Sequence, residues 1–344
     1  MARTRRGLLF AGVTGALLAM VGPIGAAWAQ DVPKVVRFGW FNGPRPWIIG
    51  KAEGLFDKRL GTKVEWIAFP SGATALTTLA AKEVDIVRLG SSPTVAGIVR
   101  KLPIEMIAIS GVIATSERLI GRKGINSVKE LEGKRLAYPP GSTAHYALMA
   151  ALKVNNVDVG KTKLLGLTPA DMVAAWKRGD IDAGYVWGPF SHQMESDNGR
   201  ELLATKDLWK SNYFVWNNYV VRKEFSQQYP ALIVKFLQTF EETANRYKQN
   251  PDEAARLIAA HLDQKFEFAR DTLAGLEYLP LKEQLTPKWL GNSQTKETAT
   301  IAKSMADAAN FLAELGDIRK QDIPPSFAPS INTTYMEKAV EGKR

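Results

Sequence analysis

The chain has 344 residues, of which 45% are hydrophobic, 23% charged and 9% aromatic, a globular composition large enough for two domains. It has no cysteine and only three histidines, which excludes a disulfide framework, iron–sulfur clusters, cysteine-ligated zinc and thiol catalysis. The formal net charge is +10, but the sequence has no Lys/Arg block typical of a nucleic-acid-binding surface.

The first 29 residues are typical of a secretory signal peptide. Arg3, Arg5 and Arg6 precede a mostly apolar run from 8 to 27, and a small-x-small cleavage motif ends at Ala29. An uncleaved membrane anchor and export by the twin-arginine route are the alternatives. We expect cleavage near Ala29, which leaves a periplasmic protein of formal charge +7.

Short strand-like and helix-like runs alternate over the first two thirds of the mature chain. The predicted strands are 35–40, 63–69, 84–87, 104–112, 119–121, 135–138, 163–167 and 183–187. The predicted helices are 47–60, 71–79, 93–99, 127–131, 143–153 and 170–178, followed by a helical region with helices at 229–248, 251–262, 266–277 and 298–315. This alternation is typical of α/β proteins with mainly parallel sheets covered by helices on both faces.

The alternation occurs as two successive sets, which predicts two lobes with a ligand cleft between them. Lobe 1 comprises residues 30–115 and 220–344, and lobe 2 comprises residues 116–219. Because no Pro/Gly/Ser-rich linker separates the sets, we expect short crossing strands rather than a flexible tether.

Three predicted helices begin with small polar residues directly after a strand. These residues are Ser71, Ser91 with Ser92, and Ser142 with Thr143. Free N–H groups and the positive end of the helix dipole suit an anion, although ordinary capping explains each start alone. Ligands of open α/β sheets bind at the carboxyl ends of the strands, so the three starts together predict a cleft for an anion.

Two further residue types are candidates for the same cleft. His145 lies one turn into the helix that begins at Thr143, where it either donates to an anion or has a structural role. Trp187 and Trp216 fall at strand ends, where an aromatic ring either completes the core or forms a wall of a ligand cleft.

Motifs for catalysis are missing from the sequence. There is no P-loop, no HExxH, no dinucleotide fingerprint and no GxSxG elbow. The sequence therefore favours a binding protein over an enzyme, with neither a metal nor a cofactor.

Seven short motifs occur in a fixed order along the chain. They are 69–73 (FPSGA), 89–93 (LGSSP), 142–146 (STAHY), 150–153 (AALK), 174–183 (AAWKRGDIDA), 185–187 (YVW) and 220–223 (VVRK). In this order they resemble the periplasmic taurine- and sulfonate-binding proteins of ABC importers, over nearly the whole chain to about residue 320.

The resemblance implies a fold, a site and partners. The fold is a two-lobed type II periplasmic binding protein that closes on its ligand, a monomer that works with a membrane permease and its ATPase. The ligand is a taurine-like sulfonate or a related organic anion. The family's site places Ser71, Ser91, Ser92, Thr143 and His145 around the sulfonate, and Trp187 against the ligand.

The chain departs from the taurine-binding pattern at three positions. Arg45 and Asn217 occupy positions where taurine binders resemble one another in carrying an acid, and Arg88 replaces a small polar residue. Taurine's ammonium needs a carboxylate partner, since burying an unpaired charge costs several kcal/mol. Arginine instead offers two parallel hydrogen bonds to a carboxylate or sulfonate.

These departures predict a dianionic ligand, a sulfocarboxylate or a dicarboxylate, rather than taurine. An aromatic ligand is one option, because Trp40, Trp47, Trp187 and Trp216 all fall near strand ends. The alternative is that Arg45 and Arg88 point to solvent or pair with a structural acid such as Asp85.

Two other classes of function stay open at the level of sequence. One is an enzyme on the same fold, such as a pyrimidine-precursor synthase, although the cysteine-rich motif expected of it is absent. The other is a periplasmic sensor or scaffold.

Overall fold

The structure, a computed structural model, describes residues 32–342, so the predicted signal peptide lies outside the described residues. The strands are β1 Val35–Trp40, β2 Lys63–Ala68, β3 Ile86–Gly90, β4 Ile104–Ile113, β5 Glu117–Arg122, β6 Arg135–Tyr138, β7 Lys163–Gly166, β8 Ala183–Trp187, β9 Gly199–Ala204, β10 Trp216–Arg222 and β11 Leu276–Glu277.

The helices alternate with the strands and then dominate the second half of the chain. They are α1 Trp47–Ala52, α2 Leu55–Leu60, α3 Gly72–Ala80, α4 Ser91–Val99, α5 Thr143–Val154, α6 Pro169–Arg178, α7 Phe190–Ser196, α8 Lys223–Gln228, α9 Pro230–Gln249, α10 Pro251–Leu262, α11 Phe266–Ala274, α12 Leu281–Gln284, α13 Thr300–Glu314 and α14 Thr334–Glu341. Among residues 32–342, none of the helices is long and apolar enough to cross a membrane.

The strands form two sheets. The first has the order β11-β4-β10-β3-β1-β2 and the second has the order β7-β6-β8-β5-β9. In the first sheet β1 to β4 run in one direction, whereas β10 is antiparallel to both of its neighbours and β11 is antiparallel to β4. In the second sheet only β5 is reversed. The predicted α/β class with mainly parallel sheets is confirmed.

Two of the reversed strands, β5 and β10, follow the segments that carry the chain between the sheets. The chain leaves the first sheet after β4, enters the second at β5, and returns at β10. Because β5 and β10 are reversed, their amino ends lie at the same edge as the carboxyl ends of the parallel strands. Residues at the start of these strands therefore reach the cleft.

The residue ranges of the two sheets can be compared with the predicted lobe boundaries. The first sheet draws its strands from residues 35–113, 216–222 and 276–277, and the second from residues 117–204. The whole of β10 pairs within the first sheet, so the chain rejoins that sheet at Trp216, before the predicted boundary at 219/220. That the lobes move as separate units stays a prediction.

Some predicted helices differ from the observed ones for local reasons. The predicted helix 47–60 is divided into α1 and α2, because Gly54 adopts a left-handed conformation with φ of 63°. The predicted helix 266–277 ends at Ala274. The next residue, Gly275, is hydrogen-bonded to the segment that connects β4 to β5. Its carbonyl oxygen accepts hydrogen bonds from the N–H groups of Ala114, Thr115 and Ser116 at 3.0–3.1 Å.

The core of the first sheet is strongly aromatic on the face covered by α1, α2 and α9. Phe38 of β1 lies 5.4 Å from Trp47, 5.1 Å from Trp66 and 5.6 Å from Phe236, measured between ring centres. Fully burying one such side chain stabilises a fold by about 1.5–3 kcal/mol. This cluster holds α1 and the loop before it against the sheet, and that loop carries Arg45.

Candidate functional site

A cavity, about 450 Å³ when the solvent-filled space at its mouth is included, lies between the two sheets, at the carboxyl ends of their parallel strands. This is where open α/β sheets bind ligands. Its lining residues from the side of the first sheet are Phe41, Asn42, Arg45, Gly72, Arg88, Gly90, Pro93 and Asn217. Those from the side of the second sheet are Glu117, Ser142, Thr143 and Trp187.

The cavity brings six of the eleven predicted ligand-binding residues together. Arg45, Arg88, Ser142, Thr143, Trp187 and Asn217 line it. Ser71, Ser91, Ser92, His145 and Trp216 do not line it, for reasons that differ from one residue to the next. A ligand contact stays a prediction for all of them.

Arg45 and Arg88 are buried at this site, with only 6% and 2% of their surfaces exposed. Nε of Arg45 and both Nε and Nη2 of Arg88 have no hydrogen-bond partner. Burial lowers the pKa of both guanidiniums, and with the neighbouring charge of Arg45 it lowers that of Arg88 to about 9. Both side chains are therefore charged at neutral pH, with N–H groups available to an anion.

The structure also answers whether Asp85 neutralises Arg88. The Asp85 carboxylate accepts hydrogen bonds from Arg37 Nη2 at 2.8 Å and from Arg222 Nη2 at 2.6 Å. No ion pair between Asp85 and Arg88 is present among the described residues. The alternative that Arg88 pairs with Asp85 or points to solvent is therefore wrong, as is the alternative that Arg45 points to solvent.

Glu117, the first residue of β5, is a buried acid in the same cavity and is 4% exposed. The hydroxyl of Thr143 donates to its Oε1 at 2.6 Å, whereas Oε2 has no partner. Burial raises the pKa of Glu117 to about 7, against the effects of the Thr143 hydrogen bond and of the charges of Arg45 and Arg88. The carboxyl group thus titrates near neutral pH.

The serines at the three helix starts play different parts. Ser71 caps α3 by accepting from Thr74 N at 3.2 Å, and the neighbouring Gly72 lines the cavity instead. Ser142 caps α5 by accepting from His145 N at 3.1 Å, and it does line the cavity. Ser91 and Ser92 are buried in the first turn of α4, where the Ser92 hydroxyl has no partner.

His145 is held away from the cavity. Its ring stacks on Tyr138 with 4.2 Å between ring centres, and Nδ1 lies 3.6 Å from Oδ2 of Asp317. Burial lowers the pKa of His145, while the charge of Asp317 opposes this shift. These contacts favour the structural role over the alternative of an anion donor.

The tryptophans also differ in whether they line the cavity or pack in the core. Trp187 lines the cavity at the end of β8, whereas Trp216 is fully buried in β10. Trp47 stacks on Trp66 at 5.0 Å, and Trp40 packs edge-on against Trp47 at 5.2 Å. Of the four tryptophans that suggested an aromatic ligand, only Trp187 contributes to the lining described here.

Sequence reasoning missed Glu117, because its position depends on the direction of β5. The acid stands at the amino end of a strand, which in a parallel sheet would lie far from the site. The available signal was Ser116-Glu117 at the transition between the two sets of strands.

Within residues 32–342, no group of three or more histidine or acidic side chains is placed to hold a metal ion.

Comparison with known proteins places this architecture in a family. A family model described as the substrate binding domain of an ABC-type glycine betaine transport system matches residues 34–255. The taurine-binding periplasmic protein of Escherichia coli strain K12 is 33% identical over 293 residues, which cover 82% of this chain and 87% of that protein.

Solved structures share the fold at low sequence identity. The alkanesulfonate-binding protein SsuA from Xanthomonas axonopodis pv. citri, bound to MOPS, superposes with a TM-score of 0.74 at 19% identity, covering 88% of this chain and 100% of that chain. The desulfurization enzyme DSZB superposes with a TM-score of 0.62 at 13% identity, covering 90% of this chain and 100% of that chain. The fold by itself therefore serves both binding proteins and an enzyme.

The matching family model covers more than half of the chain, and the taurine-binding relative covers most of it. The chain accordingly belongs to the substrate-binding proteins of ABC importers, in their taurine- and sulfonate-binding group.

Proposed function

We propose that this protein is the exported receptor of an ABC importer, which binds one small sulfonate carrying a second acidic group and delivers it to a membrane permease and its ATPase. The observation that carries the proposal is the pair of buried arginines, Arg45 and Arg88. Both residues line one cavity, three of their guanidinium nitrogens have no hydrogen-bond partner, and Asp85 is bound to other partners.

The cleft offers separate places for two acidic groups. The first turn of α4 borders the cavity through Gly90 and Pro93, and its unpaired N–H groups suit one anionic head. Arg45 and Arg88 supply planar donors for the second group. A ligand with one acidic group would leave one of these two positive regions without a counter-ion.

A dicarboxylate is the variant of the proposal that lacks sulfur. Its support is the same pair of arginines, since a guanidinium binds a carboxylate as well as a sulfonate. Trp187 provides one aromatic wall, which suits a ring on the ligand. Both variants share the requirement for two acidic groups.

An enzyme on this fold is the second candidate, supported by the structural likeness to DSZB. Thiol chemistry is excluded because the chain has no cysteine. The hydroxyl–carboxylate pair in the cavity is Thr143 with Glu117, at 2.6 Å. We expect no turnover, which NMR of candidate ligands incubated with the protein would check.

Competition calorimetry with the purified mature protein tests the proposal. We expect one ligand per monomer and tighter binding of sulfoacetate or phthalate than of taurine. The exchange Arg45→Glu should shift the preference toward taurine, because it replaces an anion partner by an ammonium partner. Taurine binding more tightly than both diacids would overturn the two-acid ligand, and conversion of any ligand would overturn the carrier role.

A further inference from the structure

Glu117 is a buried acid that a purely dianionic ligand leaves unused. Its Oε2 has no hydrogen-bond partner, and its Oε1 is held by the Thr143 hydroxyl at 2.6 Å. No ion pair within 4.0 Å joins Glu117 to Arg45 or Arg88 among the described residues, although all three line one cavity. The cleft thus presents two separate positive groups and one separate negative group.

The charges of the cleft specify a complementary set of charges on the ligand. Two guanidiniums and one carboxylate carry a net charge of +1. Taurine, a zwitterion, would pair Glu117 but leave one arginine without a counter-ion. A simple diacid would pair both arginines but leave Glu117 without a cation, unless Glu117 takes up a proton. An unpaired charge in a buried site is costly, so a ligand that pairs all three groups is favoured.

We propose that the ligand carries an ammonium group beside its two acidic groups, and that the free Oε2 of Glu117 binds this ammonium. The inference rests on the proposed function and narrows its substrate class to amino acids with an acidic side chain, with a sulfonate as the acid that the family favours. The probe for this class is 2-amino-3-sulfopropanoate, known as cysteate.

The environment of Glu117 suits an ammonium partner. The Thr143 hydrogen bond occupies one carboxylate oxygen and leaves the other without a partner, in a residue that lines the cavity. Arg45, Arg88 and the first turn of α4 all border the cavity from the side of the first sheet, so the two acidic groups would bind there, on the side of the ligand opposite Glu117. The positive and negative groups of such an amino acid are therefore matched across the cleft.

Four probes separate the contributions of the two ligand groups. Cysteate has both the amine and the carboxylate, 3-sulfopropanoate lacks the amine, taurine lacks the carboxylate, and ethanesulfonate lacks both. Calorimetry on the purified mature protein should show cysteate binding at least tenfold more tightly than 3-sulfopropanoate. In Glu117→Gln this gain from the amine should fall to less than twofold, because the amide has no charge.

A matched variant controls for the loss of one negative charge. Glu201 lies on β9, outside the lining of the cavity, and pairs with Arg118 at 3.2 Å. Glu201→Gln should keep the tenfold gain from the amine. An amine gain that is absent in the parent protein, or that survives in Glu117→Gln, overturns the inference.

The same probes show whether a negative result contradicts only the ammonium contact or also the two-acid ligand of the proposed function. If 3-sulfopropanoate binds more tightly than ethanesulfonate but cysteate shows no further gain, the ligand is a plain diacid and only the present inference fails. If the carboxylate adds nothing, the second acidic group fails, and the taurine-to-ethanesulfonate ratio still reports whether Glu117 binds the amine.

The pH dependence gives an independent readout. An ammonium needs ionised Glu117, so the affinity for cysteate should rise between pH 6 and pH 8, whereas that for 3-sulfopropanoate should fall. The other groups that face Glu117 keep their charge in this range: Arg45 and Arg88 stay cationic, and Tyr185 on β8 stays neutral because burial raises its pKa. If the affinities for both ligands fall as the pH rises from 6 to 8, the ammonium contact is contradicted.

Discussion

The hydroxyl of Thr143 donates a 2.6 Å hydrogen bond to Oε1 of Glu117 and so joins the first turn of α5 to the first residue of β5 inside the cleft. Both residues line the cavity, and the bond leaves Oε2 as the free carboxylate oxygen. A small polar residue chosen for a helix start thereby positions an acid that lies 26 residues away in the chain.

Replacing Thr143 by valine removes this hydrogen bond while keeping the shape of the side chain. The bond favours the ionised carboxylate, so its loss should raise the pKa of Glu117 further. A hydrogen bond to a charged group contributes about 1.5–3 kcal/mol, so ammonium-bearing ligands should bind at least tenfold more weakly. Calorimetry measures this, with Thr143→Ser as the control that keeps the hydroxyl; equal losses in both variants would rule out a role for the bond.

Gly90 permits the close approach of the two sheets at the cleft. A Cβ at this position would lie 2.9 Å from Cγ2 of Thr143, although the backbone angles of −75° and 160° suit any residue. Gly90→Ala should therefore weaken sulfonate binding through this contact, while the circular dichroism of the free protein stays unchanged. The double variant Gly90→Ala with Thr143→Ser removes the opposing methyl group and should recover affinity. An unrescued loss would point to a different cause.

Glu117 should reduce the stability of the ligand-free protein at neutral and alkaline pH. Its pKa is about 7 in the folded state against about 4.3 in an unfolded chain. The folded state holds this proton more tightly, so the destabilisation is complete above pH 7, shrinks as the pH falls, and is absent below about 4.3. Glu117→Gln should thus add about 3–4 kcal/mol to the free energy of unfolding at pH 8.

Urea titrations of the parent protein and of Glu117→Gln at pH 8 and pH 4.5 check this prediction. Comparing the two proteins at each pH cancels the titration of the other groups, among them His192, whose pKa burial lowers to about 4. The test compares the gain in free energy of unfolding that Glu117→Gln shows over the parent at each pH. A gain that is no larger at pH 8 than at pH 4.5 would show that the pKa of Glu117 is not raised in the folded protein.

Asp85 should be a major stabilising residue of the first sheet. Its side chain is 3% exposed and binds Arg222, which is 10% exposed, and Arg37, which is 31% exposed. Asp85→Asn removes the buried counter-ion of Arg222, which keeps the exposed Glu224 at 3.4 Å, and breaking such a buried pair costs about 3–5 kcal/mol. Arg37→Gln should cost clearly less, since that arginine is partly solvated. Urea unfolding measures both, and a loss below about 1 kcal/mol for Asp85→Asn would contradict the role assigned to the pair.

The sequence by itself determined the class of the protein and the edge of the sheets where the site lies. Alternating strands and helices require parallel strands, and small polar residues after those strands mark the ends where ligands bind. The absence of cysteine excludes thiol chemistry without any coordinates. Arg45, Arg88 and Asn217 stood out as departures from the motif pattern, and all three line the cavity. These properties follow from residue type and local order, which a linear chain displays directly.

Only the tertiary structure decided which charged groups are free. Asp85 is bound to Arg37 and Arg222, so it is not the partner of Arg88, and His145 stacks on Tyr138 outside the lining of the cavity. Glu117 reaches the cleft because β5 runs against its neighbours in the second sheet. Strand direction and the choice of ion-pair partner depend on contacts between residues far apart in sequence. Local sequence patterns do not reveal these contacts.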